Sequence, residues 1–94
     1  MERSEVDARL NSLLDELAAI EHERWAHWQR YMHSKGNMQS DGSLTLPAEL
    51  VRRWQAQIAT SYVDLSDAEK ESDREQVRQY LQLIAASLAE RRAL

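Results

Sequence analysis

Two glycines and one proline are all the backbone punctuation this 94-residue chain carries, so its elements must be few and long. With no phenylalanine, packing falls to leucine, alanine and three tryptophans, a palette that favours helices over strands. The absence of cysteine rules out a disulfide framework and a thiolate metal site. The length suits a single domain, residues 1–94, near the lower end of what buries its own core.

Periodicity predicts an all-α fold of three main helices at about 4–34, 47–60 and 73–92, with a short helical turn near 66–71. Along the first helix, Leu10, Leu14, Leu17, Trp25, Trp28 and Met32 form one stripe, while Val6, Leu13, Ile20, His27 and Tyr31 form a second. An ordinary surface helix buries one stripe. Two stripes imply packing by the rest of the fold and by another subunit, so a homo-oligomer is expected. Its contact is assigned to Val6, Leu13 and Ile20 together with Leu83 and Leu94.

Gly36-Asn37 and Asp41-Gly42 are turn pairs, and residues 35–43 read as a loop. Pro47 suits the first turn of the second helix, capped by Thr45 or Leu46, with Leu50, Val51, Trp54 and Ile58 on its apolar face. Ser66 and Glu69 make a capping box, and Ser72 and Glu75 make another, which suggests a stop and restart between them. The last helix is expected to bury Val77, Leu81, Ile84 and Leu88.

The net charge of −4 lacks the field of a nucleic-acid binder, though ten of the twelve basic residues are arginine and could hold a small anion. No apolar run approaches the ~20 residues of a membrane span, and the N-terminus MERSEVDARL does not read as a signal peptide, so a cytoplasmic protein without membrane contact is expected.

Chemistry-bearing residues concentrate in EHERWAHWQRYMH, residues 21–33. The histidines do not form a metal site: His22 and His27 are five apart, ~140° round a helix, and His22 and His33 lie ~16 Å apart. The glutamates at 16, 21 and 23 lack a paired magnesium-binding pattern, and there is neither a phosphate-binding glycine loop nor a serine elbow. No enzyme, cofactor or metal is expected. Glu21 falls on the Leu14–Trp25 stripe, where a carboxylate requires a partner. Arg74 is the first candidate, then Arg52 or Arg53. The pair is either a structural bridge between helices or part of a pocket walled by Trp25, Trp28 and Tyr62.

Two segments, EHERW at 21–25 and SYVDLSDAEKESDR at 61–74, resemble the bacterial versions of the ryanodine-receptor repeat, the RyR domain. The matching residues are His22 and Trp25, then Tyr62, Leu65, Ser66, Glu69, Lys70, Asp73 and Arg74. The family's middle segment is replaced by the stretch 35–60, and the chain also resembles small phage and prophage proteins that carry both pieces. The resemblance implies a non-enzymatic binding module that captures a nucleotide-derived defence signal, with Glu21, His22, Trp25, Trp28, Tyr62 and Arg74 around the ligand. The alternative is a homo-oligomeric helical adaptor or inhibitor bound to a host or phage protein.

Overall fold

The computed structural model describes residues 1–92. Four helices are joined through a small ribbon: α1 (Arg3–Asn11), α2 (Leu14–Lys35), β1 (Asn37–Met38), β2 (Leu44–Thr45), α3 (Ala48–Ala59), a 3₁₀ turn (Tyr62–Asp64) and α4 (Asp67–Arg92). The fold is mostly helical, as expected.

The expected first helix breaks in two. Ser12 turns its hydroxyl back onto the Arg9 carbonyl at 2.6 Å, and Leu13 N–H bonds the Leu10 carbonyl, three residues back rather than four. Leu13 leaves helical geometry at φ −93°, ψ 1°, and the bend carries it against α4. There it is 6 % exposed, the one buried apolar side chain among the described residues, and Ser87 on α4 is equally covered at 7 %.

In place of a plain loop at 35–43, β1 and β2 form an antiparallel ribbon in register Asn37–Thr45 and Met38–Leu44, a departure from the all-α expectation. Its turn is set by Asp41, whose carboxylate accepts from Ser43 N–H at 3.0 Å and Ser43 Oγ at 2.6 Å, and by Gly42 at φ +88°, a value glycine adopts without strain. Thr45 is therefore held in the ribbon and Pro47 itself stands at the cap position of α3, so the helix begins at Ala48, one residue later than expected.

The restart at Asp73 does not occur. The first box forms as read: Ser66 Oγ accepts from Glu69 N–H at 3.2 Å, and the Glu69 carboxylate accepts from Ser66 N–H at 3.1 Å. The second is overrun, because nothing between Glu71 and Glu75 breaks a helix and Glu71 ties Arg74 and Arg78 along the helix surface. Ser66→Ala is expected to cost about 1 kcal/mol in thermal or urea unfolding, whereas Ser72→Ala, mid-helix, is expected to be neutral or slightly stabilising.

α2 and α4 run antiparallel, with Glu21 level with Tyr80 and Leu13 level with Leu83–Ser87. α4 turns Tyr80, Leu83 and Ser87 inward, while Val77 and Leu81 of the expected stripe are exposed and Ile84 and Leu88 are half-buried. The expected face is thus covered only in its C-terminal half, at Ile84 and Leu88, and the inward direction is rotated toward Tyr80, Leu83 and Ser87. Val6, Leu13, Ile20 and Leu83, taken above as the subunit contact, are half-buried or buried within the single chain, where α1 and α2 lie against α4; Leu94 lies outside the described residues.

The molecule measures 58 × 34 × 19 Å, with a radius of gyration of 18.6 Å, against about 12 Å for a compact chain of this length. No helix among the described residues is long and apolar enough to cross a membrane.

Candidate functional site

The 3₁₀ turn hangs on two short local bonds, Ser61 Oγ to the Asp64 carboxylate at 3.0 Å and Asp64 N–H to the Ser61 carbonyl at 3.0 Å. This turn lays Tyr62 along the outer face of α4. Tyr62, Asp73, Arg74, Val77, Arg78 and Leu81 line an open groove of about 410 Å³. Helical spacing explains the lining: positions 74, 77, 78 and 81 are three and four apart and share one face. Val77 and Leu81 form its apolar floor, and Arg74 and Arg78 line it beside them.

Arg74 and Arg78 converge on one carboxylate, Glu71, at 3.3 Å and 2.6 Å. Their bonds to Glu71 push both guanidiniums above the ordinary arginine range and hold Glu71 below the usual carboxylate range, Arg78 contributing most to Glu71. Two cations sharing one anion leave a positive charge in the groove. The Lys70 ammonium adds another, 6.0 Å from the centre of the Tyr62 ring. The Asp73 carboxylate lines the same groove and offsets one of these positive charges.

The remaining residues expected at the site lie elsewhere. Glu21 does not meet Arg74, Arg52 or Arg53. Its carboxylate is gripped by the forked Arg24 guanidinium one turn on, with Nε at 3.1 Å, and accepts the Tyr80 hydroxyl from α4. Arg74 is held away on the outer face of α4. His22 stacks on Trp25, centroids 5.8 Å apart. Trp28 stacks on Tyr31 and meets Trp54 of α3 edge-on, both at 5.5 Å. The pocket of Trp25, Trp28 and Tyr62 is therefore not assembled, because α3 takes Trp28 while the 3₁₀ turn keeps Tyr62 beside its own helix.

Arg78, Val77, Leu81 and Lys70 were not among the expected site residues. The signal was present in the spacing: Arg74 and Arg78 are four apart on the same side as Val77 and Leu81. Among the described residues no group of three or more histidines or carboxylates could hold a metal ion. No family model matches the chain, and neither a curated protein nor a solved structure matches it.

The contacts of Glu21 lead us to expect acid sensitivity. Arg24 first, then the Tyr80 hydroxyl, pull the Glu21 carboxyl down to about 2 from 4.5. A carboxyl depressed in the folded state contributes stability above its unfolded value, and that contribution is lost as pH falls from about 4.5 to about 2. Glu69 and Glu71 are lowered too, by Ser66 and by Arg78 respectively, and add to the same loss. Thermal melts are expected to fall through that window, and Glu21→Gln to flatten the profile. An equally steep profile in Glu21→Gln would assign the loss to other carboxylates.

Proposed function

We propose that the chain is a non-enzymatic binding module whose Tyr62–Arg74 groove takes a planar, anionic ligand of nucleotide type. The observation that carries this reading is the joint placement of the Tyr62 ring, two guanidiniums and an apolar floor in one groove of ligand size. A base stacks on the ring and floor, and a phosphate meets Arg74 and Arg78. The resemblance of residues 61–74 to the RyR domain supports the same ligand class, a nucleotide-derived defence signal met in the cytoplasm of a phage-infected cell. Glu21, Trp25 and Trp28 enter this reading as scaffold.

Calorimetric titration with AMP, ATP and ADP-ribose tests it. Binding by the wild type is expected to weaken about tenfold in Tyr62→Ala, the scale of one lost base stack, and at least as much in Arg74→Ala. Equal binding by Arg74→Ala, with helicity preserved, sinks the assignment of the groove.

A second reading is a helical adaptor for a host or phage protein. It is favoured by Ile58, 84 % exposed at the lip of a cleft whose walls also include Arg24, Trp28 and Trp54. No binding of any nucleotide to a folded wild type, together with an Ile58→Glu variant that loses a protein partner, would favour it.

A further inference from the structure

The two long helices divide the surface into unlike sides. On α2 the inward direction is set by Leu13, Leu17 and Ile20, and on α4 by Tyr80, Leu83 and Ser87. At ~100° per residue, Leu14 and Trp25 lie ~90–110° round α2 from that direction, and Val77 and Leu81 lie ~90–130° round α4 in the same sense. In an antiparallel pair, equal rotations of the same sense bring side chains to the same side. One side of the pair therefore presents Leu14, Trp25, Val77 and Leu81, each about half exposed or more. The opposite rotation brings up Glu16, Glu23, Arg30, Glu75, Gln79 and Gln82, all exposed. One side is thus apolar with the charged groove residues Arg74 and Arg78 along its edge, while the other is polar throughout.

The molecule as a whole presents more surface than a compact chain of its mass. The accessible surface is 7600 Å², whereas a compact chain of 10.9 kDa presents roughly 5,600 Å². The excess of roughly 2,000 Å² exceeds the ~800 Å² per partner of a standard interface and falls in the range of obligate dimers. The internal core, with one buried apolar side chain among the described residues, is what an obligate protomer retains when half its core belongs to its partner.

We propose that a second copy of this chain packs its apolar side against the same side of the first, burying Leu14, Trp25, Val77 and Leu81 about a two-fold axis. The axis relates like surfaces, so each copy supplies what the other lacks. Because Val77 and Leu81 also floor the Tyr62–Arg74 groove, the second copy roofs that groove; this last clause rests on the ligand reading above, whereas the interface does not.

Light scattering coupled to size exclusion is expected to give the mass of two chains at tens of micromolar. Leu81→Glu and Val77→Glu are expected to move it to one chain, while Gln79→Glu on the polar side leaves two. Should the glutamate variants fail to fold, Leu81→Ala keeps the test open, with dimer dissociation expected to rise about tenfold or more. A wild type of one chain at those concentrations overturns the interface, and so does a dimer that tolerates Leu81→Glu but is broken by Gln79→Glu. AMP titration separates the two readings. A dimer that ignores AMP removes the ligand and leaves the interface, whereas a monomer that binds AMP removes the interface and leaves the groove.

Discussion

Leu13→Ala is expected to lower the unfolding free energy by about 3 kcal/mol, the middle of the range for leucine truncations at buried sites, and to shift the urea midpoint more than any other single leucine substitution. Leu13 sits at the bend between α1 and α2, 6 % exposed, in a recess lined also by Arg9, Ser12, Glu16, Leu83 and Ser87. Its backbone is committed to the bend through the Leu10 carbonyl on one side and the Leu17 N–H on the other. The site cannot collapse to fill the space, because its walls come from three elements that meet only there. Small domains have about 5–15 kcal/mol in total, so a loss of this size is a large share of it. Leu14→Ala is the comparison. The neighbouring leucine, 66 % exposed in the single chain, should cost little in an isolated protomer and several-fold more where a partner covers it. Far-ultraviolet dichroism in urea, taken for both variants at two protein concentrations, separates the two costs. A Leu13→Ala variant within a few tenths of a kcal/mol of wild type would mean that the bend is not anchored there.

That contrast between adjacent leucines shows what periodicity can and cannot reveal. Two apolar stripes on the long N-terminal helix are legible in the sequence, and so is the inference that both need cover. Which stripe faces the chain's own partner helix is not legible, since the hydrophobic effect is non-directional and rewards either choice. The same ambiguity affects α4, where Ile84 and Leu88 of the expected stripe are half-buried but Val77 and Leu81 are exposed, and Tyr80, Leu83 and Ser87 turn inward. The capping box at Ser66–Glu69 was readable because all its bonds lie within four residues. The bend at Ser12–Leu13 was not, because no glycine or proline marks it and its cause is the position of α4. The stripe places Glu21 in the interior, whereas its side chain is 51 % exposed and none of the expected arginines is its partner. Its local partner Arg24 lies one turn away, and its distant partner Tyr80 lies off the expected apolar stripe of α4. Periodicity assigns faces, and the pairing of faces is a tertiary fact.

Trp54→Ala is expected to release α3 from the rest of the molecule. α3 carries one strongly amphipathic face, Leu50, Val51 and Trp54, all half-buried, and reaches α2 through the edge-on meeting of Trp54 with Trp28 at 5.5 Å. Full burial of a tryptophan is worth 3–5 kcal/mol on truncation; with Trp54 half-buried and Trp28 41 % exposed, the expected cost is about 2 kcal/mol. An isolated helix of 12 residues is marginal in water, so once that contact is gone α3 should fray rather than stand free. Hydrogen exchange is expected to accelerate across 48–59 and the ribbon, while α4 and the N-terminal half of α2 keep their protection. Trp28→Ala should reproduce the effect from the other side. The double variant should recover about 1 kcal/mol relative to the sum, the scale of an aromatic pair beyond its area. Trp25→Ala is the control, since Trp25 stacks on His22 and takes no part in that contact. Additive losses at 28 and 54, or exchange that rises equally in α4, would place the anchor of α3 elsewhere and make the molecule a single cooperative unit rather than a two-helix frame with a hinged third helix.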